Sequence, residues 1–235
     1  MSLAAFQASL AALLRCPEAW CPGGDLSPAE KASLRVLAAD HEVGKYAREQ
    51  REQRWRATWR KIPRLGQTVG EETLRGLWLG GFDPKHQLVT SDATTLAGAY
   101  SLAFLDWLSD APEAAEALAA AGSPPWVLDV VAFEKAEIEL TLPVDLGAFR
   151  VAELRHDLLS AGEPAARRTL AALVRQGVGR RPRVFEIDDA FAAVLRGLDG
   201  SGPPVEPDET ALAALSVMGL APHCRAAGSE GRSLR

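Results

Sequence analysis

The feature that most constrains the fold is a change in the spacing of apolar residues near Pro143. Before it, apolar side chains recur every three or four positions, as in residues 3–15, which is typical of amphipathic helices. After it, residues 149–154 alternate apolar with polar or small side chains, the period of a β-strand. The sequence therefore predicts an α+β protein, mainly α, with an N-terminal helical domain (1–142) and a small C-terminal domain (143–235).

The C-terminal domain has the components of a winged-helix unit. Residues 170–176 form either a strand or the end of a helix that begins at Pro164, and residues 183–187 form the second arm of a hairpin. Two short helices follow, each preceded by an acidic residue that can cap it. We therefore expect a winged-helix-like domain with a short antiparallel sheet, followed by a loose polar tail from Arg225.

Start and stop signals divide the N-terminal domain into helices. Ser27 and Glu30 are spaced as a capping box with Pro28 in the first turn, so a helix begins there. Glu134 and Glu137 are three residues apart on the last helix of this domain, and we expect them on a solvated face. The expected helices are residues 3–15, one beginning at Pro28, 45–60, 70–80, one following Asp92, 112–121 and 126–140.

Composition and charge narrow the class of protein. Apolar residues make up 47% and charged residues 24% of the chain, which is ordinary for a globular protein with a core. The net charge of −5 argues against a chain-wide basic surface for nucleic acid. No apolar run approaches the roughly 20 residues of a membrane helix. A secretory signal begins with a positively charged segment, and this sequence has no Lys or Arg before Arg15. We expect a soluble cytoplasmic protein that binds neither nucleic acid nor membrane.

The search for a catalytic or metal site finds no motif. The chain has no G-x-S-x-G elbow, no H-E-x-x-H pattern and no G-x-x-x-x-G-K-[ST] loop, and the Gly-rich stretches 66–70 and 76–81 lack a flanking strand. Cys16 and Cys21 have no second compact pair to complete a zinc site, because Cys224 stands alone. We therefore expect plain thiols, no catalytic residue, no cofactor and no metal in this chain.

A basic segment is the first candidate for an interaction surface. Between Lys45 and Arg64 there are eight basic residues and two acidic ones, which gives a local net charge of +6. Two interpretations stay open: the tryptophans face the core beside solvated arginines, or arginine and tryptophan together form a docking surface for another protein. The candidate docking residues are Arg48, Arg51, Trp55, Arg56, Trp59 and Arg60.

The predicted hairpin is the second candidate. A short sheet leaves unpaired N–H and C=O groups at its edge, and such an edge can accept an extended peptide as an added strand. Basic residues near the edge can pair with acidic side chains of that peptide, or they only protect the edge from aggregation. The candidate peptide-binding residues are Val174, Arg175, Gln176, Arg181, Arg183, Val184, Phe185 and Glu186.

Several segments together carry a family resemblance. Residues 125–136, PWVLDVVAFEKA, are similar to the pattern P-[YW]-[LV]-x-D-[LV]-A-x-[LF]-E-x-A, with one residue more between Asp129 and Ala132. The family comprises partner proteins of multinuclear non-haem iron oxidases in the biosynthesis of ribosomally made, modified peptides, including methanobactin-type pathways. The other segments that resemble it are residues 3–13, 26–34, 181–200 and 211–220.

The resemblance implies a non-catalytic accessory subunit. The helical domain would dock onto the iron oxidase, and the winged-helix-like domain would bind the leader of a precursor peptide by strand addition. The iron and its ligands would belong to the oxidase, so this chain would need no cofactor. The alternatives are a winged-helix DNA-binding regulator, which requires a basic recognition helix, and an enzyme that turns over without a partner.

Overall fold

The structure is a computed structural model that describes residues 3–15, 26–39, 41–82, 93–142, 148–177 and 180–220. Within these residues the chain forms ten α-helices and one three-stranded antiparallel sheet. This confirms the prediction of an α+β fold that is mainly α, with its small sheet in the C-terminal part. The chain divides into two compact units, Met1–Ser123 and Pro124–Arg235, which are described separately below.

The first unit is helical throughout its described residues. Ser27 and Glu30 form the predicted capping box, since the Ser27 N–H donates to Glu30 Oε2 at 2.8 Å and the Glu30 N–H donates to Ser27 Oγ at 3.4 Å. One helix, α4, is not predicted from the sequence, because Pro63 both ends the preceding helix and occupies the first turn of the next. The elements are α1 (Leu3–Arg15), α2 (Pro28–Ala39), α3 (His41–Trp59), α4 (Pro63–Val69), α5 (Glu71–Leu77), a π-helical turn (Trp78–Phe82), α6 (Ala93–Asp110) and α7 (Pro112–Ala120).

Aromatic rings form the core of this unit. Trp78 of the π-helical turn is fully buried, and its ring centroid lies 4.7 Å from that of Phe82 and 5.2 Å from that of Phe104. Trp55 of α3 is also buried, with its ring 6.0 Å from Trp78. Trp107 of α6 stacks on Phe104 with centroids 6.0 Å apart. The rings therefore join α3, the π-helical turn and α6 into one packed centre.

The second unit is built on a sheet with strand order β1-β2-β3, in which both pairs are antiparallel. In the register of these pairs, Val174 of the central strand faces Phe149 of β1 and Arg183 of β3. The second strand settles the alternative that the sequence left open, because these residues form a strand and not the end of a helix. The elements are α8 (Val127–Thr141), β1 (Phe149–Leu154), β2 (Thr169–Val174), β3 (Arg183–Ile187), α9 (Asp189–Leu198) and α10 (Glu209–Met218).

Helices cover both faces of this sheet. On one face Ala171 and Leu173 of β2 pack with residues of α8, and on the other Ala172 and Val174 pack with α9 and α10. All six residues of β2 are therefore buried, although an antiparallel strand with one wet face would alternate. The α8 residues in the first cluster are Phe133, Ala136 and Leu140, and the second cluster includes Val194, Leu195, Leu215 and Met218.

Helix α8 belongs to the second compact unit because it packs against the sheet. The sequence places the boundary after residue 142, whereas α8 packs on β1 and β2, so the second compact unit begins at Pro124. Glu134 of α8 is fully buried, so the expectation of a solvated face is wrong for this residue. Glu139, on the same helix, is partly exposed and accepts a hydrogen bond from Arg150 Nε of β1 at 2.7 Å.

Candidate functional site

The strand β3 lies at one edge of the sheet in the described part of the second unit. In the sheet order β1-β2-β3, β2 pairs on both sides, while β1 and β3 each pair on one side with a described strand. The N–H and C=O groups on the outer side of an edge strand are therefore open to another chain. Two cavities, described below, lie at the two ends of β3 and are lined in part by its residues. Neither cavity is lined by a residue of the other edge strand, β1.

The first arm of the predicted hairpin does not lie at an edge. Val174 is 3% exposed and lies in the central strand, which pairs on both sides, so it is not an edge residue, and its part in peptide binding stays a prediction. Arg175 follows that strand, and its N–H donates to the carbonyl of Ala148 at 2.8 Å. Gln176 and Arg181 are exposed in the connection that leads to β3.

The predicted residues of the second arm do lie on the edge strand. Arg183 and Phe185 share the face toward α9 and α10, and the Arg183 guanidinium lies 4.8 Å from the centroid of the Phe185 ring. Val184 points to the opposite face, where it packs against the cluster of α8. Glu186 is exposed on that same face, with its Oε1 3.0 Å from Arg167 Nη2. Strand alternation therefore separates these four side chains into two pairs.

One cavity lies between the C-terminal end of β3, α9 and α10, and its volume is about 430 Å³. Its apolar lining comes from residues that are far apart in the sequence: Ile187, Phe191, Val194, Val205, Ala211, Ala214 and Met218. Its acidic lining residues are Glu186, Asp188, Glu206 and Asp208, and no Lys or Arg lines it within the described part of the chain. We call it the acidic cavity. Sequence reasoning missed it, because only the fold brings these elements together.

Two of these acids also begin the helices that form the cavity. Asp188 caps α9 by accepting a hydrogen bond from the Phe191 N–H at 2.7 Å, and Asp208 caps α10 by accepting one from the Ala211 N–H at 2.8 Å. Capping signals in the sequence predict both helix starts, but they do not show that the two carboxylates lie at one cavity. Glu206 makes no hydrogen bond or ion pair with any described residue.

A second cavity, of about 320 Å³, lies at the other end of β3. Its lining includes Arg175, Gln176 and Arg183 together with the C-terminal end of α10, and no Asp or Glu of the described chain. We call it the basic cavity. Met218 lines both cavities, which lie at opposite ends of β3, and we call this pair of cavities the β3 groove. The basic cavity thus brings together four of the predicted peptide-binding residues, Val174, Arg175, Gln176 and Arg183, and a fifth, Glu186, lines the acidic cavity.

Ion pairs connect β1 of the sheet to the helix α9, which lines the acidic cavity. Arg168 joins Glu153 of β1 to Asp189 of α9, with N–O distances of 2.8 and 2.9 Å. Its hydrogen bonds to Asp189 and Glu153 raise the pKa of Arg168 above its ordinary value, and the Arg168 guanidinium lowers the pKa of Glu153 and of Asp189. Arg196 of α9 reaches the same Glu153 at 3.4 Å.

A second tie orders the connection between β1 and β2. Asp157 accepts a hydrogen bond from Ser160 Oγ at 2.6 Å, and its Oδ2 also lies 2.6 Å from Arg167 Nη2. Ser160 first, and then Arg167, hold the pKa of Asp157 well below its ordinary value. Arg167 also contacts Glu186, so this connection is linked to the edge strand β3.

The aspartate in the motif behind the family resemblance has a structural contact. Asp129 is 7% exposed, and its carboxylate accepts hydrogen bonds from the N–H groups of Arg155 and His156, each at 3.0 Å. His156 Nδ1 lies 2.7 Å from Asp129 Oδ2, and the imidazole packs edge-on against Trp126. These bonds fix α8 to the end of β1, which explains an aspartate at this position without catalysis.

On the basic helix α3, the tryptophans face inward. Trp55 is 1% exposed and Trp59 is partly buried, with its ring close to Gly66 of α4. Arg51 is half-buried, and its Nη2 donates to the carbonyl of Leu79 at 2.8 Å. Of the two interpretations that the sequence leaves open, Trp55 fits the first, because it belongs to the core, and Arg51 donates within the unit. Docking by the remaining residues stays a prediction.

Three of the predicted docking residues remain on the surface. Arg48, Arg56 and Arg60 are exposed, and Arg48 and Arg56 line a shallow cavity of about 300 Å³ on one side of α3. Glu49 and Glu52 line the same cavity, and Glu52 pairs with Arg75 of α5. The local charge is thus partly neutralised where the arginines are exposed.

The structure describes no centre for metal chemistry in the part of the chain that it covers. Within residues 3–15, 26–39, 41–82, 93–142, 148–177 and 180–220, no three His, Cys, Asp or Glu side chains are grouped so that they could hold a metal ion. No helix in these ranges has the length and apolar character needed to cross a bilayer. The predicted thiols Cys16, Cys21 and Cys224, the expected cap Asp92 and the tail from Arg225 lie outside the described residues.

Comparison with known proteins adds no assignment, because neither a protein-family model nor a curated protein matches the chain. Two glycines of the Gly-rich stretches, Gly66 and Gly81, have a packing explanation. A Cβ at Gly66 would lie 2.7 Å from Cζ3 of Trp59, and one at Gly81 would lie 2.8 Å from the ring of Trp107. The β3 edge and the β3 groove are therefore the features on which a functional proposal depends.

Proposed function

We propose that this chain is a non-catalytic accessory subunit that binds the leader of a ribosomally made precursor peptide along β3. In this proposal it presents the peptide to a partner multinuclear iron oxidase in the cytoplasm, and the oxidase carries the iron and the chemistry. Holding the peptide beside the oxidase raises its local concentration and fixes its register.

The observation that carries the proposal is the open edge of β3 beside the β3 groove. An extended peptide that pairs with this edge gains backbone hydrogen bonds, and alternate side chains of the peptide can enter an apolar cavity of about 430 Å³. The backbone pairing gives affinity and the cavity gives selectivity. The lining of these two cavities includes no residue of the other edge strand, β1.

The alternative of a DNA-binding regulator has no support from the charges. In a winged-helix regulator the recognition helix carries basic side chains toward the DNA. Helix α10 has no Lys or Arg, and its first turn is acidic. The single arginine of α9, Arg196, lies 3.4 Å from Glu153.

Two proline substitutions test which edge binds the peptide. Val184→Pro removes a backbone donor from β3, and Val151→Pro is the matched change on the other edge strand, β1. We expect Val184→Pro to abolish binding of the precursor peptide and Val151→Pro to leave it unchanged. Phe191→Asp puts a charge among the apolar side chains of the acidic cavity and leaves the strand β3 intact. It should weaken binding of the precursor peptide at least tenfold.

Binding is measured by titrating a labelled precursor peptide into the chain, with and without the iron oxidase encoded beside it. The circular dichroism spectrum shows whether each variant is folded. Failure of the chain to form a binary or ternary complex at micromolar concentrations contradicts the proposal. Loss of binding in Val151→Pro alone, with Val184→Pro unaffected, would place the peptide on β1 instead.

A further inference from the structure

The two ends of the β3 groove carry opposite charge. At the end next to Ile187, the acidic lining residues are Glu186, Asp188, Glu206 and Asp208, all of them exposed. At the other end the lining includes Arg175 and Arg183. Met218 lines both cavities, and the acidic cavity also has an apolar lining that includes Phe191 and Val194. A ligand that lies along the whole groove therefore meets carboxylates at one end and guanidinium groups at the other.

The sheet sets the direction in which a peptide would run. Both strand pairs of the sheet are antiparallel, and a peptide that continues this pattern runs antiparallel to β3. Its N-terminal residues then lie beside Ile187 and the acidic cavity, and its C-terminal residues lie beside Arg183 and the basic cavity. Because side chains alternate, every second residue of the peptide faces α10 and the groove.

The length of the ligand follows from the strand. From Arg183 to Asp188 the backbone advances five residues, about 17 Å at the rise of an antiparallel strand. A segment of about six extended residues therefore reaches from one charged end to the other. The groove has room for apolar side chains between the charges, since its larger cavity alone measures about 430 Å³.

We propose that the segment bound along β3 runs in sequence from Lys or Arg, through apolar side chains at alternate positions, to Asp or Glu. This inference rests on the proposed function and adds the charge order and direction of the ligand. The complementary charges select the order: a peptide of the same composition with its charged ends exchanged places like charges together at both ends. The charge order thus distinguishes one class of leader from peptides that are only apolar and extended.

The test begins with a random dodecapeptide library selected on the full-length chain. We expect the selected peptides to carry Lys or Arg on the N-terminal side of an alternating apolar stretch and Asp or Glu on its C-terminal side. A synthetic copy of a selected peptide should bind at least tenfold more tightly than the copy with its charged ends exchanged, at low ionic strength. The difference should shrink in 1 M salt, where the Debye length is about 3 Å.

A charge reversal at the groove identifies the end that each charge contacts. Glu206→Lys should weaken the selected peptide about fivefold and strengthen the exchanged peptide, because Glu206 has no partner among the described residues and lines the acidic cavity. Glu163→Lys makes the same change of charge on an exposed connection that lines neither cavity, and should change neither affinity. Arg183→Glu should likewise weaken the selected peptide and strengthen the exchanged peptide, because Arg183 lines the basic cavity at the other end of the β3 groove.

The outcomes separate this inference from the proposed function. Selected peptides that are lost in Val184→Pro but show no charge order, or the reverse order, overturn the inference and leave strand addition in place. If no peptide is selected, or if selection is unchanged in Val184→Pro, strand addition at β3 is wrong and the inference fails with it. A chain that sediments as a dimer, which the peptides dissociate, would make a second copy the natural occupant and would also overturn the inference.

Discussion

Each of the two units is stabilised internally by a different kind of interaction. The first is centred on the buried rings of Trp55, Trp78 and Phe104, which meet with centroids 5.2 to 6.4 Å apart. The second has a thin sheet between helices, and buried or ion-paired carboxylates join its strands, connections and helices. Ring packing responds to shape, whereas carboxylate ties respond to partners and to pH. Each unit should therefore fail under a different perturbation.

The largest expected effect is the loss of the carboxylate that fixes α8. Asp129→Ala leaves the N–H groups of Arg155 and His156 without their acceptor, at a position that is 7% exposed. Each unsatisfied buried donor costs about 1–3 kcal/mol, so we expect the free energy of unfolding of the second unit to fall by about 3 kcal/mol. Urea denaturation followed by circular dichroism measures the change.

The control for this prediction is Glu163→Ala, which removes an exposed carboxylate from the connection between β1 and β2. It should change the stability by less than about 0.5 kcal/mol. If Asp129→Ala is as mild as this control, the hydrogen bonds to the two N–H groups do not support the second unit, and the contrast between the units is lost.

The next largest effect is expected from substitutions at two glycines, which test the packing around the Trp59 ring in the first unit. A Cβ at Gly66 would lie 2.7 Å from Cζ3 of Trp59, whereas a Cβ at Gly76 of α5 meets nothing within 4 Å. Gly66→Ala should therefore destabilise the unit by about 2 kcal/mol through overpacking. Gly76→Ala should stabilise it by up to about 1 kcal/mol, because alanine is the better helix former.

Tryptophan fluorescence during urea denaturation reports mainly on this unit, since Trp55, Trp59, Trp78 and Trp107 belong to it and only Trp126 belongs to the second unit. The two variants should shift the midpoint in opposite directions. A shift of the same sign in both would show that the contact between Gly66 and the Trp59 ring does not control the packing.

The predictions from sequence succeed where the signal is local. Ser27 and Glu30 predict a helix start because their hydrogen bonds lie within three residues, and the structure contains those bonds. The strands β1 and β3 are predicted with their bounds, since alternation within five or six residues is sufficient to show them. Helix α4 is missed, because Pro63 serves as a stop and a start at once.

The candidate site is harder to predict, because it depends on tertiary structure. Spacing places Trp55 and its neighbours on one face of α3, but spacing alone does not show whether that face is inside or outside. The acidic cavity unites Ile187, Val205 and Met218, which only the packing of β3, α9 and α10 brings together. Val174 has the same local pattern as an edge residue, and only the pairing of β1 with β2 shows that it is central.

The smallest effect concerns the acid sensitivity of the second unit. Ser160 and Arg167 hold the pKa of Asp157 below its ordinary value in the folded chain, so the unfolded chain takes up a proton at this residue first as the pH falls. The contribution of Asp157 is therefore present in full above the unfolded pKa of about 4 and is lost progressively below it. Asp157→Asn should be less stable than the wild type near neutral pH and should approach it in acid.

Hydrogen exchange of the β2 amides between about pH 5 and pH 2 gives the stability of the second unit as a function of pH. The difference between wild type and Asp157→Asn should narrow across this range, since the native carboxylate loses its advantage as it is protonated. Asp110→Asn, at the exposed end of α6 in the first unit, is the matched control and should leave that profile unchanged. A constant difference at every pH would mean that Asp157 acts through its shape and hydrogen bonds alone, because only an ionised carboxylate with a lowered pKa makes stability depend on pH in this direction.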